Sequence, residues 1–312
     1  MQKNFFAYRT PGVLLALGIL AFFFSFAPKS SRTGVSQAQS NLFVSTFALS
    51  SNAQTVAVLS PDAGAVPGFS TKLTDVLADH VDVLDRSLGE AAYNASKHGD
   101  PYNMSSEEAK TAGSAIGCDF LLLIKTGNQR RTSFDRPEYY ESFAVVYLVS
   151  SRTGRLVYWR IRNAEERSQT EADFKLISTL SAIAQDLTNS INEARKREAV
   201  EPRPSNIDEP PLPGTPESKG FVAPIPFRRI KPEYTPTAYL YGVTATVEIL
   251  VDLDAAGNIT RTEITRWAGY GLDEAVESAV RAMNWRPAER NKRTLPMRVL
   301  LRYNFKKADA KP

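Results

Sequence analysis

The feature that most constrains this chain is a proline-rich stretch late in the sequence. Six of the sixteen residues from Glu201 to Pro216 are proline, mixed with Ser, Asn, Asp and Glu. Because proline fixes φ and removes a backbone donor, this stretch cannot form a packed core and favours an extended, semi-rigid spacer. The full length of 312 residues suits two folded domains, at about 150 residues each. We therefore expect two bodies separated by a linker over residues 199–220; a proline-rich ligand for another domain is the alternative.

The first 32 residues have the charge and hydrophobicity of an export segment. Lys3 and Arg9 precede an apolar run over residues 13–27, and Lys29 and Arg32 follow it. The run is about 15–17 residues long, between the core of a signal peptide and a spanning helix. We expect an uncleaved apolar helix that holds the chain in the inner membrane through residues 11–27, with a periplasmic body. Cleavage near Ala38, followed by release to the periplasm, is the alternative.

Residues 41–198 predict a mixed-sheet α/β domain. A buried strand at residues 55–59 precedes a helical pattern from Ser70, and a second strand is expected at residues 81–86. Ser105 and Glu108 have the spacing of a capping box, which predicts a helix up to residue 116. Strands at 119–125, 142–149 and 154–161 follow, and residues 171–197 predict one long amphipathic helix. Strands that alternate with helices indicate a mixed or parallel sheet.

Residues that could carry chemistry are sparse. Cys118 is the single cysteine, so it forms no intramolecular disulfide, and its apolar surroundings favour a buried thiol over a nucleophile. His80 and His98 are the only histidines, and their spacing with Cys118 matches no zinc site. The acidic residues Asp75, Asp79, Asp82 and Asp85 resemble a solvated edge more than a metal or acid–base site. We expect no enzyme activity, no catalytic residue, no metal and no cofactor.

The net charge of +4 hides a basic surplus at both ends of the chain. Lys and Arg outnumber Asp and Glu by 4 to 0 in residues 1–32 and by 16 to 10 in residues 219–312, whereas the remainder is acidic. Such asymmetry can favour nucleic acid, anionic lipid or an acidic protein. No nucleic-acid-binding motif accompanies it, so we expect no nucleic-acid partner.

Residues 221–306 predict a small domain of order ββαβ. Two alternating strands, 243–253 and 259–267, flank a turn that contains Gly257, which predicts a hairpin. Residues 268–271 break the second strand, and residues 272–283 have helical spacing with one apolar face. A last alternating strand is expected over residues 295–305. The whole chain is therefore α+β in class: an N-terminal apolar helix, a mixed-sheet domain, a proline-rich linker and a ββαβ domain.

This order and its short phrases resemble the TonB C-terminal domain family. The residues that carry the resemblance occur in the family's order: Pro232, Tyr234, Pro236, Gly257, Leu272, Asp273, Trp285, Pro287, Ala288 and Phe305. The sequence departs from the family pattern at Thr235, at Tyr241 and at the pair Arg266-Trp267. Residues 41–198 resemble, by pattern alone, envelope domains of the CsgG, LpoB and TolB N-terminal type.

The resemblance implies a protein that binds a partner in the cell envelope by β-strand addition. The last strand would be the open sheet edge, and its partner a segment of an outer-membrane transporter. The resemblance implies the partner-binding residues Leu295, Met297, Arg298, Val299, Leu300, Leu301, Arg302, Tyr303 and Phe305. Arg298 and Arg302 are equally well explained as charges that protect an edge from unwanted pairing.

Two functions remain open on this basis. The first is an energy transducer that supports transmembrane transport, together with inner-membrane motor proteins. The alternative is an assembly or regulatory protein whose TonB-like module docks a periplasmic protein or peptidoglycan.

Overall fold

The computed structural model describes residues 54–62, 64–95, 99–201 and 207–307. Its first part contains one five-stranded sheet of order β2-β1-β3-β4-β5. The strands are β1 (Thr55–Leu59), β2 (Asp82–Val83), β3 (Phe120–Arg131), β4 (Tyr139–Ser150) and β5 (Leu156–Glu166). β1 runs parallel to both β2 and β3, whereas β4 is antiparallel to both β3 and β5. The predicted mixed sheet is confirmed.

Five helices accompany this sheet: α1 (Phe69–Ala78), α2 (Arg86–Ala95), α3 (Ser106–Ile116), α4 (Gln169–Ile177) and α5 (Leu180–Val200). The capping box of Ser105 and Glu108 is present at the start of α3, which confirms that prediction.

Two sequence predictions for this part were wrong. The strand expected at residues 81–86 is only two residues long, because the Asp85 carboxylate accepts the Leu88 N–H at 3.0 Å and starts α2. The long helix expected over residues 171–197 is two helices. Ser178 and Thr179 turn their hydroxyls back onto the carbonyls of Lys175 and Leu176, which favours a break between α4 and α5.

The two faces of the five-stranded sheet are covered differently. One face packs against α1, α4 and α5 through alternate residues such as Val58, Leu122 and Val146. The opposite face carries Leu59, Leu123, Tyr147 and their neighbours. Helices α2 and α3 cover only part of that second face. The C-terminal segment joins the same hydrophobic cluster and covers the remainder.

The C-terminal segment forms three small sheets. Its elements are β6 (Phe221–Val222), β7 (Ile225–Pro226), α6 (Pro236–Leu240), β8 (Ala245–Leu253), β9 (Ile259–Arg266), α7 (Leu272–Arg281), β10 (Trp285–Arg286), β11 (Ala288–Arg290), β12 (Arg293–Leu295) and β13 (Met297–Phe305). The main sheet has the order β13-β8-β9, and the others are β12-β11-β6 and β10-β7. With α7 between β9 and β13 in sequence, the predicted ββαβ order is confirmed.

The last strand is shorter than predicted. Residues 295–305 were expected to be continuous, but Pro296 separates β12 from β13. Proline has no N–H to donate to a sheet ladder, which explains the break. Leu295 therefore belongs to a hairpin in which it faces Ala288.

The two parts of the chain are in direct contact, so the expectation that the linker separates them is wrong. The described residues lie within one compact unit. The Tyr147 and Trp267 rings have centroids 5.7 Å apart, and Trp159 lies 5.8 Å from Tyr270. Asn103 completes the contact, because its side chain bonds to both the N–H and the C=O of Thr246.

No helix within the described ranges is long and apolar enough to cross a membrane. The anchor predicted for residues 11–27 lies outside these ranges.

Candidate functional site

The candidate site is the outer edge of β13. This strand pairs with β8 at nine consecutive positions, from Met297 opposite Leu253 to Phe305 opposite Ala245. No other strand in the described part of the chain pairs with β13. One side of β13 is therefore bound into the sheet, and the other is a sheet edge.

The backbone groups on this edge belong to alternate residues. In an antiparallel pair, every second residue turns its N–H and C=O away from the partner strand. The Arg298 N–H points outward, because it donates to the Asp208 carbonyl of the proline-rich segment at 2.8 Å. Leu300, Arg302 and Asn304 have the same orientation by alternation. Among the described residues, no backbone group bonds to theirs.

The side chains of β13 divide into two faces. Met297 and Phe305 are buried in the core, and Val299, Leu301 and Tyr303 are half-buried beside them. The opposite face carries the side chains of the residues whose backbone N–H and C=O groups point away from β8. Among these side chains, that of Leu300 is 51% exposed. Leu300 faces Leu250 across the β8 ladder.

Two arginine–carboxylate pairs flank this apolar contact. Arg298 donates two hydrogen bonds to Asp252, at 2.7 and 2.8 Å, and this bonding raises the pKa of the guanidinium. Arg302 lies 2.6 Å from Glu248. The Asp252 side chain is 3% exposed and that of Glu248 11%, whereas Arg302 is 62% exposed. Arg302 therefore retains donors that face solvent at the edge.

The structure brings eight of the nine predicted partner-binding residues together on β13. Leu295 is the exception, because Pro296 places it on β12. Five of the eight turn their side chains toward the core, and only Arg298, Leu300 and Arg302 lie on the exposed face. Asn304 belongs with them and was missed, although the period of two along the strand gave the signal.

The family-motif residues form the turn, the helix contacts and the buried packing behind this edge. Gly257 has φ of +87°, and a Cβ there would lie 2.4 Å from the Trp285 carbonyl oxygen. Pro287 packs against the same point. Tyr234 donates its hydroxyl to the Val243 carbonyl at 2.6 Å, and Pro236 begins α6. Pro232, Leu272 and Trp285 are buried. These residues fix the turn and the helix behind the sheet.

Asp273, in the first turn of α7, has an unusual protonation equilibrium. Its carboxylate accepts the N–H groups of Ala268 and Gly269, both at 2.9 Å. These bonds favour the charged form, but burial outweighs them and raises the pKa of Asp273 to about 7. The aspartate therefore holds the strand break at residues 268–271 with a charge that changes near neutral pH.

The departures from the family pattern lie mostly at the contact between the two parts of the chain. The Tyr241 hydroxyl donates to Glu141 at 2.7 Å. Arg266 pairs with Glu108 at 3.1 Å and donates to the Asn103 carbonyl, and Trp267 packs on Tyr147. Thr235 differs, because it caps α6 and donates to the Tyr270 carbonyl within the C-terminal segment. Three of the four departures thus contact the five-stranded sheet or the loop that precedes α3.

The described residues that could bind a metal or act as a nucleophile do not form a second site. Within the described ranges, no group of His, Cys, Asp and Glu is placed to hold a metal ion. Burial raises the pKa of the Cys118 thiol. A cavity of about 370 Å³ lies where β5 meets β9, lined by residues that include Arg155, Trp159 and Glu277.

Residues 230–306 match the family described as Gram-negative bacterial TonB protein C-terminal. Over these residues the chain carries a domain of the TonB C-terminal family. No curated protein matches the sequence.

Three solved structures are similar to parts of this chain. The C-terminal domain of Pseudomonas aeruginosa TonB is 16% identical, with 33% of this chain and 95% of that chain covered and a TM-score of 0.25. Lipoprotein GNA1162 from Neisseria meningitidis is 15% identical, with coverage of 44% and 99% and a TM-score of 0.30. PelC from Paraburkholderia phytofirmans, a dodecamer, is 12% identical, with coverage of 44% and 88% and a TM-score of 0.28.

Proposed function

We propose that the protein binds an extended segment of an envelope partner along the outer edge of β13, and that the partner is an outer-membrane transporter. The observation that carries the proposal is the row of outward backbone groups at Leu300, Arg302 and Asn304, which no described residue occupies. A peptide that adds a strand there gains main-chain hydrogen bonds from each of these residues. The protein would thereby support transport without catalysing a reaction itself.

The geometry sets the length and the composition of the segment. From residue 300 to residue 304 the edge is about 14–17 Å long at roughly 3.4 Å per residue, which suits a segment of about five residues. The open part of the edge begins only after Arg298, because the Arg298 N–H already donates to the Asp208 carbonyl. Next to Leu300 an apolar side chain fits, and next to Arg302 a carboxylate or amide fits.

An anchored form is part of the same proposal. Residues 11–27 would hold the chain in the inner membrane with the described part in the periplasm, where inner-membrane motor proteins could act on it as an energy transducer. Release after cleavage would leave the strand-addition chemistry of β13 unchanged.

A second candidate function is favoured by the contact between the two parts of the chain. The C-terminal domain shares a hydrophobic cluster with the five-stranded sheet, through Tyr147, Trp267 and Tyr270. A domain held in this way is suited to an assembly or regulatory protein that docks a periplasmic protein or peptidoglycan on the same edge.

Photo-crosslinking in intact cells tests the first candidate against the second. A photoreactive amino acid replaces Leu300 on the edge or, as a control, Phe174 on α4, whose side chain is also exposed. We expect position 300, and not position 174, to capture an outer-membrane barrel that mass spectrometry identifies. Exclusive capture of periplasmic proteins or peptidoglycan at position 300 would support the second candidate and reject the first.

A further inference from the structure

The ribbon formed by β7 and β10 has one face in the core and one in solvent. Pro226 lies opposite Trp285, which is 4% exposed. Ile225 lies opposite Arg286, and Phe227 continues the ladder because its N–H donates to the Asn284 carbonyl at 2.9 Å. Residues two apart on a strand share a face, so Ile225, Phe227 and Arg286 project together away from Trp285. Ile225 is 49% exposed and Phe227 76%.

Basic side chains surround this exposed face. Residues 217–233 and 285–293 contain eight lysines and arginines: Lys219, Arg228, Arg229, Lys231, Arg286, Arg290, Lys292 and Arg293. All eight are exposed. The same stretches contain three carboxylates, Glu217, Glu233 and Glu289. Positive charge is therefore concentrated on the small strands β6, β7, β10, β11 and β12 and the loops next to them.

None of these eight cations forms an ion pair with a described carboxylate, in contrast to the arginines of the main sheet. Arg298, Arg302 and Arg266 each lie within 4 Å of a carboxylate. In the β11–β12 hairpin, Arg290 lies directly opposite Arg293. Like charges at facing positions destabilise a ladder. This concentration of positive charge without ion-pair partners therefore favours binding to an anionic surface outside the molecule.

We propose that Ile225, Phe227, Arg228, Arg229 and Arg286, called here the basic ribbon, dock onto a bilayer surface that carries anionic lipid headgroups. Exposed aromatic and aliphatic side chains insert at the boundary between headgroups and acyl chains, while cations beside them bind anionic lipid. An acidic protein would match the charges but would leave Phe227 without a clear apolar contact. The basic ribbon does not include the edge of β13, so docking to lipid is independent of strand addition.

The test uses the full chain with a local reporter. An environment-sensitive fluorophore is attached through Ala223→Cys, next to the basic ribbon, or through Phe174→Cys on the far helix α4. The native thiol, Cys118, is buried. We expect a blue shift, and quenching by spin-labelled lipid, at position 223 but not at position 174. The shift should occur with phosphatidylcholine vesicles that contain phosphatidylglycerol and not with phosphatidylcholine alone.

Two sets of variants separate the docking from other membrane contacts. Each basic residue near an anionic surface contributes roughly a fivefold increase in binding, so the double variant Arg228→Gln, Arg229→Gln should lower the docked population about 30-fold. The control Lys196→Gln, Arg197→Gln changes two exposed cations on α5 that make only long contacts of 4.0 and 3.9 Å to Glu193, and it should have no effect.

Phe227→Ser decides between lipid and an acidic protein. The proposal predicts that this variant loses the blue shift with anionic vesicles. The result that overturns the proposal is a signal at position 223 that is equal with neutral and anionic vesicles, or that survives Arg228→Gln, Arg229→Gln. A signal produced by polyglutamate and retained in Phe227→Ser, without any response to vesicles, would assign the basic ribbon to an acidic protein instead.

Discussion

The two edges of the sheet β13-β8-β9 have opposite environments. At the β9 edge, Arg266 forms an isolated bridge with Ser105 and an ion pair with Glu108, and Glu263 pairs with Arg155 at 2.6 Å. At the β13 edge, the only backbone contact that a described residue outside the sheet makes is that of Asp208 with Arg298. One edge of this small sheet is thus covered by the first part of the chain, whereas the other remains a sheet edge.

The docking has a physical cause in the five-stranded sheet. Its second face carries Tyr147 on β4 and Trp159 on β5, large side chains that pack against rings of the C-terminal segment. Apolar surface of this size is stabilised by removal from water, at roughly 25 cal/mol per Å². The C-terminal segment supplies Trp267 and Tyr270 to cover it. The β9 side is therefore structural, and the β13 side is available.

The largest expected effect on stability comes from a substitution at the contact between the β9 side of the sheet and the five-stranded sheet. Trp267 is 1% exposed and packs on Tyr147. Trp267→Ala should lower the free energy of unfolding by about 3–5 kcal/mol, since it leaves a cavity between the two parts of the chain. Thermal or urea unfolding measures this loss, with Phe174→Ala, at an exposed position, as the matched control. Equal stability of the two variants would show that the docked contact contributes little.

A pair of proline substitutions compares the two sides of β13 itself. Leu301→Pro removes an N–H that points toward β8 and should cost about 3 kcal/mol of stability. Leu300→Pro removes an N–H that points to solvent, so it should largely preserve the fold and yet abolish partner capture. Circular dichroism melts report the stability, and the crosslinking assay, with the photoreactive amino acid at Arg302 instead of position 300, reports partner capture. Similar destabilisation by both prolines would contradict the assigned orientation of the edge.

The pH dependence of stability tests the β9 side of the sheet. The Asp273 carboxylate accepts the N–H groups of Ala268 and Gly269, which directly follow Trp267 of the docked contact. The folded pKa of Asp273 is about 7 and its ordinary value 3.8. Between these values the unfolded state binds fewer protons than the folded state. Stability should therefore fall as pH rises through this window, by up to about 1.4 kcal/mol per pH unit. Asp273→Asn should remove this component of the pH dependence, and the difference between the two unfolding curves measures it. Parallel curves for the two proteins would mean that Asp273 ionises normally in the folded state.

The smallest effect on stability is expected at the open edge. Arg302→Ala removes a largely exposed partner of Glu248, which keeps Arg266 at 3.7 Å. Surface pairs of this kind contribute about 0–1 kcal/mol, so unfolding should change little. Partner capture from position 300 should weaken, because Arg302 lies beside the bound segment. An unfolding loss comparable to that of Trp267→Ala would make Arg302 a structural residue and remove it from the site.

Much of the fold followed from local patterns. The capping box at Ser105, the turn at Gly257 and the apolar face of α7 depend on residues close in sequence, and the structure confirms each of them. Alternation alone predicts a last strand that is too long, because the pattern runs through Pro296, where the structure has a break.

The contact between the two parts could not be predicted in this way. Asn103 and Thr246, which bond to each other, are 143 residues apart, and no periodicity relates them. The indirect signal was the set of departures from the family pattern. Tyr241, Arg266 and Trp267 differ from the pattern and contact the first part of the chain. The edge of β13 was predictable as a strand, but its occupation by Asp208 at Arg298 was not.

The most direct test of the central claim is the rate of amide hydrogen exchange along β13 in the full chain, measured with and without the captured partner. In the free protein, the amides of Leu300, Arg302 and Asn304 should exchange much faster than those of Val299 and Leu301, which point toward β8. With the partner bound, the three outward amides should slow while the inward ones stay the same. Outward amides that are already protected in the free protein, or that remain fast in the complex, would contradict the account.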